Sequence, residues 1–173
     1  YIITYIKLLS TDILKILIPG GAGYIGSVLC TELLNRGHSV KVVDLLWFNR
    51  SIPLNHISNP YYDFVYVDIS DENVVEKTME DIDFVIYPAA VVGDPASKRF
   101  PELTKRINEI SAKKVIDAAV RNKVRGFFFF STCSNYGISN DGLAKEETDL
   151  NPLSLYAETK VNVEKFLQDE VTD

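Results

Sequence analysis

Tyr156 and Lys160 are four residues apart in the segment SLYAETKVNVEKFLQDEVTD, which starts at Ser154 and has a helical pattern. Residues i and i+4 lie on one face of a helix, so the phenol and the ammonium can point at the same site. An ordinary tyrosine has a pKa of about 10, but a nearby ammonium stabilises its phenolate. The pair therefore predicts a tyrosine that exchanges a proton with a substrate hydroxyl. By itself the spacing favours a surface tyrosine and a solvated lysine, so this interpretation depends on the motifs that precede it.

A glycine-rich turn near the start of the chain, GGAGYIG, has the spacing of a dinucleotide-binding loop. Gly20, Gly23 and Gly26 follow a strand pattern and open a helical one. In such loops one glycine forms a tight turn, one lets the backbone approach a pyrophosphate, and one lets the helix pack on the strand. The N-terminus of the helix then offers N–H groups to the phosphates. Glycine-rich turns that serve packing alone are the alternative.

Asp44 ends the second strand pattern, 18 residues after Gly26. A carboxylate at this position can accept hydrogen bonds from both hydroxyls of an adenosine ribose, and it would repel a 2′-phosphate. The glycine loop and Asp44 together predict NAD, rather than NADP, as the cofactor. Asp68 ends the third strand pattern and is followed by Ile69. It is a candidate for the adenine side of the cofactor, although an ordinary strand-end aspartate fits equally well.

The ends of the fourth and fifth strand patterns supply further candidates. Ala89 and Ala90 are small enough for a cofactor to lie against their backbone, although core packing explains them almost as well. Thr132 follows the fifth strand, and doubly wound sheets bind their ligands at the C-terminal ends of the strands. Its hydroxyl could bond the same substrate oxygen as Tyr156, which comes 24 residues later.

Strand and helix patterns alternate along the chain. The strand patterns cover 13–19, 38–44, 63–68, 83–89 and 125–131, and the helical patterns cover 26–37, 71–80, 101–122 and the segment from 154 onward. Several strand patterns are apolar throughout, which is typical of strands buried on both faces. The alternation predicts an α/β fold, a Rossmann-like doubly wound parallel sheet with helices on both faces. In the helix at 101–122, the residues expected to face a core are Ile107, Ile110, Val115, Ile116 and Ala119. Residues 45–62 are predicted as a loop with one short helix.

The composition fits one globular domain and excludes several classes of function. The 173 residues are 46% hydrophobic and carry a net charge of −6 from scattered acidic residues, with no basic stripe for nucleic acid. Cys30 and Cys133 form no Cys/His cluster, so no metal site is indicated and a cytoplasmic location is expected. Charged residues interrupt the apolar start of the chain before it could span a membrane. Residues 1–11 are interpreted as an extra leader or the edge of a fragment, and 12–173 as the cofactor-binding domain.

In their order and spacing, three motifs resemble those of one family. They are GGAGYIG, STCSNYG and NPLSLYAETK, and the last matches the pattern P-x-S-x-Y-x-x-x-K. From about Ile13 onward the chain resembles the N-terminal portion of an extended short-chain dehydrogenase/reductase of the NAD-dependent epimerase/dehydratase type. The resemblance implies a catalytic triad of Thr132, Tyr156 and Lys160, in which Lys160 also contacts the cofactor ribose and tunes Tyr156.

The resemblance also implies the other ligands of the site. Those assigned to NAD are Gly20, Gly23, Tyr24, Ile25, Gly26, Asp44, Asp68, Ile69, Ala89, Ala90, Val91, Asn108, Tyr156 and Lys160. Asn108, in the segment KRINEI, matches a helical asparagine of the family whose role is structural or proton-relaying. Asp94 and Thr132 are the expected substrate contacts.

The implied reaction is hydride transfer at a carbon of a nucleotide sugar, with Tyr156 as the acid/base. Members of the family pair as homodimers through two long helices, which correspond to 101–122 and 154–171. They also have a C-terminal lobe that holds the substrate, so the chain is interpreted as an N-terminal portion or as a shortened relative. An NAD-binding sensor or scaffold without turnover and a dimerising assembly module are the alternatives. The sequence does not name the sugar, and it does not choose between epimerisation, dehydration and reduction.

Overall fold

The computed structural model describes residues 13–47, 52–138 and 143–171. The chain divides into two compact units. The first, which we call the sheet unit, comprises the chain up to Ala89 together with Lys114–Phe130. The second, the helical unit, comprises Ala90–Lys113 and the chain from Ser131 onward. The predicted leader at 1–11 lies outside the described residues, and a single cofactor-binding domain over 12–173 stays a prediction.

The sheet unit contains a five-stranded sheet in the order β3-β2-β1-β4-β5. Its strands are β1 (Lys15–Pro19), β2 (Ser39–Asp44), β3 (Tyr62–Tyr66), β4 (Phe84–Tyr87) and β5 (Gly126–Phe129). Every pair of neighbours is parallel. The first strand is central and the order reverses between β1 and β4, as in Rossmann-type sheets. The predicted fold class is therefore confirmed.

Two helices of the sheet unit begin and end where the sequence places their signals. They are α1 (Tyr24–Asn35) and α2 (Glu72–Thr78). Gly37, the last residue of the helical pattern at 26–37, follows α1 with a φ of +83°, and its N–H donates to the carbonyl of Leu34 at 3.0 Å, so it caps the helix. Asp71 caps α2 by accepting the N–H of Asn73 at 3.0 Å. A short 3-10 helix, Ile52–His56, is the one predicted in the loop after β2.

A core of branched apolar side chains holds the sheet unit together. It joins strand residues to the inner face of α1, and its buried members are Leu14, Ile16, Ile18, Cys30, Leu34, Val40, Val42 and Phe84. Burial of side chains of this size stabilises the unit by roughly 1.5 to 3 kcal/mol each. The ends of β1 and β4, where the functional residues follow, are thereby fixed.

The helical unit consists of short helices packed on one long one. Its elements are α3 (Asp94–Arg99), α4 (Pro101–Lys105), a π-helical turn (Arg106–Ser111), the start of α5 (Ala112–Arg121), a 3-10 turn (Cys133–Tyr136) and α6 (Leu155–Val171). The long helix α6 packs against α3, α4 and the π-helical turn. Buried hydroxyl groups along these helices donate to carbonyls of their own helix, at Ser97, Thr104, Ser111 and Thr159. Such small, satisfied side chains let helices approach closely without unpaired polar groups.

One prediction for the helical pattern at 101–122 is wrong. Val115, Ile116 and Ala119 are buried as expected, but Ile110 is 45% exposed. Each residue of a helix is rotated by about 100° from the one before it, so Ile110 is about 200° from the buried Asn108. Its side chain therefore lies on the side of the helix opposite the core.

Candidate active site

The loop between β1 and α1 is fixed by its own backbone and packed closely against β4. Gly20 N–H donates to the carbonyl of Val43 at 2.8 Å, and Gly23 N–H donates to the carbonyl of Gly20 at 3.0 Å. Gly20 has a φ of +79°, and a Cβ there would lie 2.7 Å from the Cα of Ala89. A Cβ on Gly26 would lie 2.5 Å from the carbonyl oxygen of Gly20. Packing within the sheet unit therefore requires glycine at positions 20 and 26.

Gly23 differs from Gly20 and Gly26 because packing within the protein does not require a glycine there. Its φ of −77° is open to any residue, and a Cβ there would meet only the carbonyl oxygen of Gly20, at 3.2 Å. As the N-cap of α1 it has no side chain to bond the first turn, and that turn has no acidic residue. A helix N-terminus of this kind suits an anion. Because a methyl group at Gly23 would fill space that the protein leaves open, the loop fits a dinucleotide pyrophosphate.

The next two residues begin α1 and expose large apolar side chains. Tyr24 is 92% exposed and Ile25 is 46% exposed. This exposure leaves both side chains available to a bound molecule.

Asp44 ties the end of β2 to the glycine loop. Its Oδ2 accepts the N–H of Ala22 at 3.1 Å, and its Oδ1 accepts the N–H of Leu46 at 2.7 Å. A carboxylate has about four lone-pair sites, so these two bonds leave capacity for two ribose hydroxyls. The predicted role of Asp44 is thus compatible with its contacts.

Asp68 lies two residues beyond the end of β3 rather than within the strand. Its Oδ1 accepts the N–H of Ser70 at 2.9 Å, and the neighbouring Ile69 is buried. Burial raises the pKa of Tyr87 at the end of β4, and the charge of Asp68 adds to that rise. Asp68 is therefore close to the end of β4, which is the strand that Ala89 follows.

In the helical unit, Thr132 caps the 3-10 turn that comes after β5. Its Oγ1 accepts the N–H of Ser134 at 3.2 Å. The side chain of Thr132 also lies within reach of the Tyr156 phenol and, by hydrogen bonding, favours its phenolate. Two of the three predicted catalytic residues are therefore close to each other.

Tyr156 is half-buried, and its environment raises the pKa of the phenol. Burial is the main cause; the Thr132 hydrogen bond opposes it, and the charges of Cys133 and Asp94 add to it. The Nζ atom of Lys160 is 6.0 Å from the centre of the Tyr156 ring. In the chain by itself, burial outweighs the contacts that favour phenolate, so a lower pKa requires a further positive charge.

Lys160 is buried, with 2% of its surface exposed. Burial lowers the pKa of its ammonium to about 8, and the carboxylate of Glu164 opposes that change. A lysine of this kind carries most of its positive charge near pH 7 and loses it within the mildly alkaline range.

Asn108 and Val91 form a buried clamp within the helical unit. Val91 N–H donates to Oδ1 of Asn108 at 2.8 Å, and Nδ2 of Asn108 donates to the carbonyl of Val91 at 3.0 Å. Both residues are buried. Because one backbone unit uses both ends of the amide, the contacts favour the structural role over proton relay.

The remaining predicted contacts lie beside this clamp. Ala90 precedes it and is half-buried, and Asp94 begins α3 with an exposed side chain. The effect of Asp94 on the pKa of Tyr156 shows that the two groups are near each other.

Sequence reasoning missed two polar residues next to the triad. Asn135, three residues after Thr132, donates to Glu164, which follows Lys160 by four residues on α6. The i, i+4 spacing from Lys160 to Glu164 is the signal that could have found the second of them.

The described residues contain neither a cluster of metal ligands nor a membrane-spanning helix. Across residues 13–47, 52–138 and 143–171 there is no group of three or more His, Cys, Asp or Glu residues that could hold a metal ion. Within the same ranges, no helix combines the length and apolar character that crossing a membrane requires.

The sheet order, the glycine loop and Asp44 define a dinucleotide-binding unit of the Rossmann type. Thr132, Tyr156 and Lys160 add the residue types that the short-chain dehydrogenases/reductases use. The chain belongs to the NAD dependent epimerase/dehydratase family, whose model matches residues 16–171. The resemblance stated from the motifs is confirmed, and NAD is confirmed as the cofactor at the level of the family.

Individual relatives cover nearly all of the described chain. It is 33% identical over 156 residues to a UDP-glucose 4-epimerase of Lactobacillus helveticus, and the matched region covers 89% of this chain and 46% of that protein. It is 28% identical over 166 residues to a 3-beta-hydroxysteroid dehydrogenase of Mycolicibacterium neoaurum, covering 92% and 44%. The UDP-glucose 4-epimerase of Thermus thermophilus in complex with NAD superposes with a TM-score of 0.82 at 27% identity, covering 92% and 51%. The chain therefore spans about half the length of the relatives it matches.

Proposed function

We propose that this chain is the cofactor-binding and proton-transfer portion of an NAD-dependent oxidoreductase that acts on a nucleotide sugar. The observation that carries the proposal is the closeness of Thr132 to Tyr156, whose phenolate it favours. The Thr132 hydroxyl accepts the N–H of Ser134, and this hydrogen bond fixes the position of the hydroxyl within the 3-10 turn. Two oxygens arranged in this way can bind and exchange a proton with a third oxygen, that of a substrate hydroxyl.

In this proposal the sheet unit holds the adenosine and pyrophosphate of NAD. Gly23 and the start of α1, with Tyr24 and Ile25, take the pyrophosphate, and Asp44 takes the ribose hydroxyls. The adenine lies against Asp68 and Ile69, and the further proposed cofactor contacts are the small or buried residues after β4: Ala89, Ala90 and Val91. When bound, NAD supplies a nicotinamide carbon that accepts and returns hydride.

Tyr156 is the proposed acid and base. As phenolate it takes the proton of the substrate hydroxyl, and as phenol it returns that proton. Thr132 holds the same hydroxyl oxygen, and the ammonium of Lys160 favours the phenolate and contacts the cofactor ribose. Burial raises the pKa of Tyr156, which keeps the resting residue in its phenol form.

A nucleotide sugar is the substrate class that the two epimerase relatives support. The exposed carboxylate of Asp94 would accept hydrogen bonds from sugar hydroxyls. The hydroxysteroid dehydrogenase relative favours a second candidate, oxidation of a secondary alcohol on a steroid, by the same proton transfer. Turnover of UDP-glucose and of a 3β-hydroxysteroid, measured side by side with NAD, distinguishes them.

The proposal includes a homodimer formed through the helices at 101–122 and 154–171. Ile110 and Val120 support it, because they expose 45% and 51% of their surfaces on the first of these segments. Replacing both with glutamate should convert the dimer to a monomer in light scattering. A cytoplasmic location is part of the same proposal and is supported by Cys30 and Cys133, both of which are free thiols.

The decisive experiment separates binding from turnover. Tyr156→Phe should lower turnover of the nucleotide sugar by about 10²-fold to 10⁴-fold, the range for loss of a general acid or base. Its affinity for NADH, measured by nicotinamide fluorescence, should remain close to that of the wild type. Tyr66→Phe, which alters a tyrosine that is exposed on β3, is the control and should change neither quantity. An NAD-binding sensor predicts wild-type binding without turnover, and an assembly module predicts neither.

A further inference from the structure

A buried asparagine links the turn that carries Thr132 to the helix that carries Lys160. Asn135 is 2% exposed and lies in the 3-10 turn. Its Nδ2 donates to Oγ of Ser131 at 3.0 Å and to Oε1 of Glu164 at 3.1 Å. Glu164 follows Lys160 by one helical turn on α6. A single amide thus connects both halves of the proposed proton-transfer site within the helical unit.

The carboxylate of Glu164 dictates the orientation of this amide. An ionised carboxylate only accepts hydrogen bonds, so the nitrogen of Asn135 must face it. The opposite orientation would set Oδ1 against the carboxylate. Both hydrogens of Nδ2 are then used, and in the part of the chain that the structure describes Oδ1 is buried with no hydrogen-bond partner. A buried acceptor without a partner reduces stability, so the link to Glu164 is retained at a cost to the fold.

The backbone of the turn is fixed around Asn135. Its N–H donates to the carbonyl of Thr132 at 3.4 Å, and its carbonyl accepts the N–H of Asn151 at 2.8 Å. Ser134 N–H bonds the Thr132 hydroxyl, as described above. A change at Asn135 therefore acts on Thr132 from one side and on Glu164 from the other.

Several charged groups lie on the elements packed around Lys160, and the carboxylate of Glu164 acts on its pKa. Tyr156 is one turn before Lys160, and Asp94 of α3 acts on Tyr156. In the π-helical turn, Glu109 is bonded to Lys113 at 2.9 Å and to Asn162 at 3.1 Å. Glu164 is the group whose charge opposes the effect of burial on the pKa of Lys160.

We propose that Asn135 and Glu164 are a positioning pair, in which Asn135 orients the carboxylate of Glu164 and the charge of that carboxylate stabilises the ammonium of Lys160, one helical turn from Tyr156. The proposal rests on the function proposed above. In this proposal Asn135 and Glu164 do not touch the substrate. They act on it through Thr132 and Lys160.

The test measures the ionisation of Lys160 in the full chain without substrate. The Nζ signal, assigned by its loss in Lys160→Met, is followed against pH by ¹⁵N NMR. Glu164→Gln removes the charge but keeps an amide that can bond Asn135, and it should lower the pKa of Lys160 by about one unit. Glu164→Asp keeps the charge and should restore most of that shift. Glu158→Gln removes the same charge from an exposed position on α6 and is the control.

A second variant and a second readout keep the result decisive. Asn135→Leu keeps the branched shape of the side chain but removes both donors, so it should shift the Lys160 titration in the same direction as Glu164→Gln, by less. If Glu164→Gln does not fold, Asn135→Leu and Glu164→Asp decide the question. The proposed positioning role would be overturned if the pKa of Lys160 were the same in every protein tested, namely the wild type, both Glu164 variants, Asn135→Leu and the control.

Turnover distinguishes a failure of this pair from a failure of the proposed function. In an active enzyme, Glu164→Gln should move the pH profile of kcat while KM for NAD stays unchanged. A wild type without turnover contradicts the proposed function, but the NMR titration still decides whether the pair exists. An unchanged kcat profile beside a shifted Lys160 titration would contradict the positioning role.

Discussion

Asn108 and Val91 are joined by two hydrogen bonds that close a ring between one side chain and one backbone unit. The amide oxygen accepts the Val91 N–H at 2.8 Å, and the amide nitrogen donates to the Val91 carbonyl at 3.0 Å. Both residues are buried, so Asn108 supplies the hydrogen bonds that the Val91 N–H and carbonyl need, as a neighbouring strand would. The chain that follows β4 is held in place by a helix side chain rather than by the sheet.

Asn108→Leu should destabilise the fold by about 2 to 4 kcal/mol, because it leaves the N–H and the carbonyl of Val91 buried and unpaired. Urea unfolding followed by circular dichroism measures the loss. Asn73→Leu makes the same change at an exposed position on α2 and should cost less than about 1 kcal/mol. Equal losses in the two variants would show that Val91 finds other partners.

Gly23→Ala should weaken NADH binding at least about tenfold while leaving stability nearly unchanged. The added methyl group meets one carbonyl oxygen at 3.2 Å within the protein, but it occupies the space assigned to the pyrophosphate. Fluorescence titration and thermal unfolding measure the two effects. Gly37→Ala is the matched control: its φ of +83° predicts a loss of about 1 kcal/mol with no loss of NADH affinity. Tight NADH binding by Gly23→Ala would place the pyrophosphate elsewhere.

Asp44→Asn should reduce the preference for NAD over NADP by about tenfold or more, because the charge that repels a 2′-phosphate is removed. The side chain still has an oxygen for one of the two N–H groups of Ala22 and Leu46, so the loop should remain folded. Titration with both cofactors measures the ratio. Asp63→Asn removes an exposed charge from β3 as a control, and an equal change in that variant would point to net charge instead.

Lys160 should make stability depend on pH between about 8 and its unfolded value of 10.5. Over that interval the unfolded lysine binds a proton and the folded one does not, so stability rises as pH increases. A shift of this size corresponds to roughly 3 kcal/mol. Lys160→Met should remove the rise, and urea unfolding at pH 7, 8, 9 and 10 tests it. If the stability of the wild type and of Lys160→Met changed in parallel with pH, the pKa of Lys160 would not be lowered in the folded chain.

The sequence was sufficient for the sheet but not for the helical unit. Apolar runs and glycine signals repeat at short range, so β1 to β5 and the end of α1 at Gly37 were predictable. The π-helical turn at Arg106–Ser111 has no such signal, because nothing local distinguishes its period from that of an α-helix. Ile110 was assigned to the core because it is apolar, although the ordinary helical period from the buried Asn108 places it on the opposite side.

For the candidate site, spacing predicted residue types but not their partners. Thr132 and Tyr156 were predictable as a pair because each belongs to a recognisable motif. The bonds from Asn135 to Ser131 and Glu164 depend on how a turn and a helix meet in space. The rise in the pKa of Tyr156 has the same origin, since burial is a property of the packed chain.

The proposed function requires NAD and Tyr156 to act together, because the charge of the bound cofactor would convert a buried phenol into a base. The phenolate absorbance of Tyr156 against pH tests this, obtained as the difference between wild type and Tyr156→Phe, with and without saturating NAD⁺. We expect a titration above the ordinary tyrosine value in the free chain, because burial raises that pKa, and a shift to lower pH when NAD⁺ is added. A Tyr156 titration that is the same with and without NAD⁺ would contradict it.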